Sequence, residues 1–458
     1  MIEAISNFFQ AILNMGATVF VPIIMLIIGL VAKMKFKDAF SAALIFGVAF
    51  AGMNLVVDYM LGNITPAAKA FAEATGINLT AIDGGWTTGA SVTWAWKYAF
   101  LAFPVTIIIN IIMLAFKWTK TLNVDMWNVW NVWGKAFCAV MVYYISGNLY
   151  LAFLVVAIQV VVELKIGDIW AREIQELTGI PGVTLPHHMT LIAALLYPVD
   201  KFLDLFPIFN KKMDVNALKN KIGIFSENHV MGFIVGTSIG LIGRYSISDA
   251  LILGINAAAA LTLFPLVSKL FMQALSPISD AISEYMRNRF KGRELYIGLD
   301  WPILAGASEI WVLAILLIPF ELLFAAILPG NQVLPFAGLI NLSIIVAAYL
   351  LGRGNMLRML VYGIITTPVF LYIGTYFAPY ITQLARDTGA VNVEEGTMLA
   401  WATIENGEFK FAFANAMAGN WWGIVLAIAW LALFVIFYIG RSKENVKRYS
   451  DDSEMDAV

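Results

Sequence analysis

The chain has 458 residues, of which 60% are hydrophobic and only 13% are charged. A typical soluble domain is roughly a quarter charged, so this apolar excess predicts a protein whose surface faces lipid. The formal net charge of −2 argues against a nucleic-acid binder, and the single cysteine, Cys138, excludes a disulfide framework or a thiolate metal site.

Apolar runs long enough to cross a hydrocarbon core, about 20 residues, recur along the whole chain. Two shorter runs, 149–164 and 228–243, need flanking residues to reach across. Backbone groups in lipid must be satisfied within each segment, so the runs predict an all-α polytopic membrane protein with about eleven helices. The predicted spans are 8–32, 38–62, 97–116, 126–147, 149–164, 228–243, 249–275, 308–328, 333–352, 357–382 and 419–440.

The distribution of cations predicts the orientation of these spans. Residues 1–7 contain Glu3 but no Lys or Arg, so they lack the cationic start of a signal peptide, and the first span is expected to be retained. Loops after odd-numbered spans are rich in Lys and Arg, whereas 63–96 contains only Lys69 and 383–418 is net acidic. Cations favour the cytoplasm, which predicts an N-terminus outside and a C-terminus inside.

The two halves of the chain repeat each other. At a spacing of 211 residues Gly29 pairs with Gly240, and at 217 residues both copies read D-x5-G-A-S-x2-W, starting at Asp83 and Asp300. An odd number of spans separates the copies, so they are expected to have opposite orientations. Inverted repeats are typical of alternating-access transporters, which bind solute near the midplane between the repeats.

This repeat divides the chain into three parts. Residues 1–206 form the first membrane repeat, with five spans and a hairpin on the cytoplasmic side. Residues 207–382 form the second, inverted repeat with spans six to ten. Residues 383–458 hold an extracytoplasmic loop, the last span and a cytoplasmic tail.

The repeated motif offers carboxylates close to the expected solute site. Asp83 and Asp300 each precede small residues and an apolar span, which suits a re-entrant hairpin. Their carboxylates could accept hydrogen bonds from the neighbouring hydroxyls of a polyol, or each could cap the helix start of its hairpin. Glu309 and Glu321 lie within or at the mouth of a span, where ionisable residues indicate function.

Two further polar clusters interrupt apolar sequence. The segment 123–131 alternates Asn, Asp and Trp; its indoles and amides, Asn128 among them, suit a sugar or polyol, or else form an interfacial aromatic belt. His187 and His188 follow Pro186, but adjacent residues point about 100° apart on a helix and no H-E-x-x-H is present, so we predict a polar hairpin tip rather than a metal site. No phosphate-binding P-loop motif is present, so neither ATP hydrolysis nor a cofactor is predicted.

Four segments together resemble one known family. They are similar to segments of the galactitol-specific IIC components of the bacterial phosphotransferase system, in the ascorbate–galactitol superfamily, and the resemblance covers nearly the whole chain. The segments are 123–128, 180–187, 297–300 and 328–336.

The resemblance implies a homodimer in the bacterial inner membrane, in which each protomer has a substrate-carrying core and a V-shaped dimerising domain. It implies an elevator-like movement of the core and phosphorylation of the alditol by a separate IIB component, supplied in turn by IIA. The implied site lies around Trp86, Thr87, Asn128, the two histidines and Asp300, to which the residue pattern adds Asp83. His188 stands where the galactitol proteins carry Gly, so the resemblance does not fix which alditol is carried.

Two functions remain open from the sequence. The first is a group-translocating carrier of galactitol or a similar alditol, which is itself not an enzyme. The alternative is an ion-coupled secondary transporter of the same architecture, whose intramembrane carboxylates would carry Na⁺ or H⁺. A non-transporting receptor would not need the internal duplication.

Overall fold

The structure is a computed structural model whose described residues are 78% helical. The described residues are 17–75, 80–123, 129–211, 224, 227–289, 295–335, 338, 340–389, 393, 396 and 398–455.

The first half of the chain contributes eight described helices and three short strands. In chain order these are α1 Ala17–Val31, α2 Phe36–Thr75, β1 Ala81–Asp83, α3 Gly85–Trp94, α4 Ala102–Ala115, β2 Thr121–Asn123, α5 Val129–Ser146, α6 Leu149–Thr178, β3 Val183–Thr184, α7 Ala193–Leu203 and α8 Pro207–Asn210. Short 3-10 helices precede α4, at Ala99–Leu101, and α7, at His188–Ile192.

The second half follows a similar order of elements. These are α9 Asn228–Ile242, α10 Ile247–Arg289, β4 Tyr296–Gly298, α11 Ser308–Ile327, β5 Val333–Leu334, α12 Leu342–Gly352, α13 Met356–Thr388, β6 Met398–Ala400, α14 Gly407–Met417 and α15 Trp421–Met455. A 3-10 helix at Trp301–Leu304 follows β4.

Four helices among the described residues are long and apolar enough to cross a membrane: Leu149–Thr178, Ser308–Ile327, Met356–Thr388 and Trp421–Arg448. Each begins within a few residues of a predicted span, whereas the total of eleven spans remains a prediction. α2 and α10 extend well past their predicted spans, to 40 and 43 residues. The outer face of α15 exposes large apolar side chains, including Ile424, Ile428 and Val435. Exposing such a face to water would cost about 25 cal/mol per Å² of apolar area, so the face is suited to contact with lipid.

Six short strands form two parallel three-stranded sheets that the sequence did not predict. One sheet has the order β5-β1-β6 and the other β2-β4-β3. Ala81 pairs with both Val333 and Met398, and Ile297 pairs with both Leu122 and Val183. In each sheet the central strand comes from one half of the chain and both outer strands come from the other half, so the halves are interleaved.

Local geometry recurs at the 211-residue spacing. Lys33 and Arg244 both adopt positive φ, 67° and 61°, just after α1 and α9. A Cβ built on Gly29 or Gly240 would lie 3.0 Å from the Cβ of an alanine ten residues on, so both glycines permit a close helix approach.

The acidic segment 383–418 differs from the loop that the sequence suggested. α13 continues to Thr388, and residues 398–417 form β6, a buried loop and the largely buried helix α14. α14 packs on α5 and α15, so this segment is part of the core.

Candidate functional site

Two buried loops meet in the core. The first, after β3, carries His187 and His188, which are 2% and 0% exposed; the second, after β6, carries Glu405. The two imidazoles stack with centroids 4.3 Å apart, and Nε2 of His188 contacts the Glu405 carboxylate. These residues are 217 positions apart, the same spacing that relates the two copies of the D-x5-G-A-S motif. The contact brings the two halves of the chain together at one point.

Charged groups from three helices surround this contact. Lys135 Nζ in α5 lies 2.5 Å from Glu163 Oε2 in α6, and both side chains are fully buried. Gln159 donates a 2.7 Å hydrogen bond to Glu163 Oε1. Lys410 in α14 donates to the Glu405 carbonyl at 2.5 Å and also to the Asn406 side chain. We refer to these groups, with the two histidines and Glu405, as the polar cluster.

Several polar atoms of this cluster are not satisfied by protein. Among the described residues, Gln159 Oε1, His188 Nδ1 and Asn406 Nδ2 are buried without a hydrogen-bond partner. His188 Nδ1 is 3.8 Å from Glu163 Oε1, which is too long for a hydrogen bond. Unsatisfied buried groups cost about 1–3 kcal/mol each and therefore call for a partner such as a ligand or water. A solute with several hydroxyls offers both donors and acceptors to such groups.

Aromatic rings lie beside the same loops. Trp401, which follows β6, packs against Trp133 and Phe137 of α5 with centroid separations of 5.0 and 5.3 Å. Its indole N–H donates to Thr403 Oγ1 at 2.9 Å, which fixes the ring. Flat apolar faces beside hydrogen-bonding groups suit the C–H side of a polyol.

The two motif aspartates hold these loops in place. Asp83 accepts hydrogen bonds from the backbone N–H groups of Gly85 and Ala402 at 3.0 Å and of Gly338 at 2.7 Å. Asp300 caps the 3-10 helix after β4 through the Trp301 N–H at 2.7 Å, and its Oδ1 lies 3.4 Å from His187 Nε2. Each aspartate thus contacts a loop from the opposite half of the chain. Capping, one of the two roles considered for these residues, is present at Asp300, whereas Asp83 accepts from the first residue of α3 and from two loops of the second half.

Of the remaining predicted site residues, one has a described side chain and two do not. Trp86 is half-buried and packs against the core from α3. Thr87 lies in α3, but its side chain is outside the described part of the chain, as is all of Asn128.

Sequence reasoning missed most of the charged members of the cluster. Lys135 and Glu163 interrupt predicted spans, and intramembrane charges are a functional signal that could have found them. Glu405 and Lys410 lie in the segment interpreted as a loop, where charges carry no such signal.

A metal ion is a poor fit to this site. Ligand atoms of His187, His188 and Glu405 lie within 4.8 Å of one another, close enough to hold an ion by spacing alone. Lys135 and Lys410, however, place two ammonium groups in the same cluster, and these offset the charge of the Glu163 and Glu405 carboxylates that would otherwise attract a cation.

The sequence is similar to a known family of membrane proteins. The family model of sugar-specific permease components of the phosphotransferase system, EIIC-GAT, matches residues 11–396. The galactitol-specific EIIC component of Escherichia coli K12 is 34% identical over 414 residues, covering 87% of this chain and 90% of the relative. The corresponding protein of Escherichia coli O157:H7 matches with the same identity and coverage.

The match covers most of the chain, and the apolar helices agree with an inner-membrane protein that crosses the bilayer several times. Components of this kind are transporter subunits rather than catalysts. The chain belongs to the EIIC-GAT family of sugar-specific permease components of the phosphotransferase system.

Proposed function

We propose that this protein carries galactitol or a similar alditol across the inner membrane and presents it to a separate IIB component for phosphorylation. The observation that carries the proposal is the polar cluster, which combines ionic groups, unsatisfied buried polar atoms and aromatic faces. The choice of an alditol as the solute is based on the names of the relatives, which are galactitol-specific components.

In this proposal the alditol hydroxyls bind the groups that protein leaves unsatisfied. The side chains of Gln159, His188 and Asn406 each offer one buried atom without a partner. Glu405 accepts from a hydroxyl and Trp401 covers the carbon chain. Asp300 positions the imidazole of His187, whose Nε2 lies 3.4 Å from its carboxylate. Asp83 accepts a hydrogen bond from the Ala402 N–H and so fixes the loop that carries Trp401. Trp86, Thr87 and Asn128 remain proposed contacts by resemblance.

The inverted repeat is supported by the interleaved sheets. Pairing β1 with β4, β2 with β5 and β3 with β6 converts the order β5-β1-β6 into β2-β4-β3, which is the order of the second sheet. His188 and Glu405 are equivalent at the repeat spacing of 217 and touch each other. Equivalent positions meet only on the axis that relates two copies, so this contact supports the proposal of a pseudo-twofold axis through the solute site.

An elevator movement and a homodimer are proposed on the packing of the helices. The helices α1, α2, α9 and α10 pack chiefly against one another. The polar cluster is instead built on α5, α6 and α14, with their connecting loops. We assign the four helices to a static dimerising domain and the rest to a core that moves with the solute.

The orientation is proposed from the positive-inside rule, with the C-terminus in the cytoplasm beside IIB and IIA. Lys443, an exposed residue in the C-terminal half of α15, tests this orientation. A Lys443→Cys variant in intact cells should resist a membrane-impermeant maleimide and react only after the membrane is opened. Cys138 is buried and serves as the unreactive background.

Ion-coupled transport of a free solute is the second candidate. It is favoured by Glu321, which is 3% exposed within α11 and whose two carboxylate oxygens have no hydrogen-bond partner among the described residues. Transport that survives Glu321→Gln and needs IIB would exclude this candidate.

Calorimetry with a set of alditols tests the substrate. One alditol of a set that includes galactitol, its epimer sorbitol and a pentitol should bind clearly more tightly than the others. Equal weak binding of all of them would refute the alditol assignment while leaving the family unaffected.

A further inference from the structure

A basic pocket of about 390 Å³ lies between the turn after α4 and the C-terminal halves of α6 and α15, and it shares no residue with the polar cluster. Lys117 and Lys120 line it from the turn after α4, and Lys165 and Arg172 line it from α6. The lining residues comprise these four cations and one carboxylate, Asp168, a formal charge of +3 within the lining. Lys120 and Arg172 also interact with other groups of the protein. The positive formal charge of the lining attracts anions.

The turn that carries two of these lysines is fixed by the same Asp168. Its Oδ1 accepts hydrogen bonds from Thr119 Oγ1 at 2.8 Å, from the Lys120 backbone N–H at 2.9 Å and from Thr121 Oγ1 at 2.9 Å. Lys165 donates to the carbonyl of Trp118 and so ties α6 to the turn. The pocket is therefore formed before an anion arrives, which lowers the entropy cost of binding.

Lipid-facing surface borders the pocket on two sides. On α4, Ile108 and Ile111 are 54% and 60% exposed, and the turn beyond them stacks the exposed rings of Phe116 and Trp118 at 5.2 Å. On α15, Ile439 is 49% exposed. Tryptophan beside apolar surface is typical of the membrane–water interface, so the pocket lies at the depth of lipid headgroups.

We infer that this pocket binds the phosphate-bearing headgroup of an anionic phospholipid, whose acyl chains run along the exposed faces of α4 and α15. Free phosphate would satisfy the same cations, but it would make no use of the apolar borders. Basic pockets between membrane helices bind acidic lipid headgroups elsewhere. This inference is independent of which solute is transported.

Native mass spectrometry and thermal unfolding of the full chain in detergent test the inference. Phosphatidylglycerol should bind and raise Tm, and zwitterionic phosphatidylethanolamine should do neither. Lys117→Gln or Arg172→Gln should each weaken phosphatidylglycerol binding about fivefold, and the double variant more than tenfold. The charge-preserving variant Lys117→Arg/Arg172→Lys should bind like the parent protein.

The matched control is Lys443→Gln, which removes the same charge from an exposed position of α15 that does not line the pocket. Its lipid affinity should not change. Unchanged binding by the double glutamine variant, or an equal loss in the control, would overturn the inference. Inorganic phosphate that raises Tm as much as the lipid at equal concentration would instead assign the pocket to a free anion and overturn the lipid assignment.

Discussion

Replacing Glu405 by glutamine tests whether the polar cluster binds the solute. The change keeps the length and shape of the side chain but removes its charge. Glu405 contacts His188 through its carboxylate, and its backbone carbonyl accepts from Lys410. Only the first of these contacts depends on the carboxylate, so the fold should persist while the hydrogen bond to an alditol hydroxyl weakens.

The expected loss follows from the strength of hydrogen bonds to charged groups. Such bonds contribute about 1.5–3 kcal/mol, and about 1.4 kcal/mol corresponds to a tenfold change in Kd. Glutamine still accepts a neutral hydrogen bond of about 0.5–1.5 kcal/mol. The difference of about 1–1.5 kcal/mol should raise the Kd for galactitol about 5- to 15-fold in Glu405→Gln. The matched control is Glu176→Gln, since Glu176 pairs with Arg448 on the surface with its side chain 47% exposed. Surface pairs contribute about 0–1 kcal/mol to stability, and this one lies outside the cluster, so the control should bind normally.

Isothermal titration calorimetry on the purified protein measures both Kd values, and size-exclusion chromatography checks the fold. An affinity of Glu405→Gln within twofold of the parent protein, with the fold intact, would refute the assignment of the polar cluster as the solute site.

Two further substitutions test the packing of the same cluster. A Cβ on Gly134 would lie 2.5 Å from His188 Nε2, so Gly134→Ala should displace the imidazole and lower galactitol affinity at least tenfold in calorimetry. Gly62→Ala, at a helical glycine with no atom within 4 Å of the added Cβ, should bind normally, and an equal loss there would contradict the packing argument. Lys135→Met leaves Glu163 as an uncompensated buried charge and should cost about 3–5 kcal/mol, seen as a large fall in Tm. Lys135→Met/Glu163→Gln should recover much of that loss, and a double variant no more stable than the single one would show that the ion pair is not the cause.

Hydropathy predicted a helical membrane protein, and the described residues are mostly helical with four helices long and apolar enough to cross a membrane. Apolar runs located the four long spanning helices to within a few residues at their starts, because lipid imposes length and composition on such segments. The D-x5-G-A-S spacing located two aspartates near corresponding strand ends: Asp83 is the last residue of β1, and Asp300 lies two residues after β4. The histidine pair was predicted at a polar tip, and it lies in a buried loop.

The rest of the site depends on contacts that a local pattern does not contain. Strands of two or three residues are too short to show alternation, so both sheets were missed. Glu405 belongs to the site only because its loop meets a loop 217 residues away. An acidic stretch between two spans is ordinarily a solvated loop, and only the tertiary fold buries this one.

The most direct test of the account is the chemical form of the solute that reaches the inside of a vesicle. The assay uses right-side-out vesicles that contain this protein in the membrane. The vesicle interior is loaded with phosphoenolpyruvate, the general phosphotransferase proteins and IIA, with or without IIB. We expect labelled galactitol to accumulate as its phosphate only when IIB is present, and we expect no direct effect when ion gradients are dissipated. Accumulation of unmodified galactitol without IIB, lost when an ion gradient collapses, would contradict the proposed function.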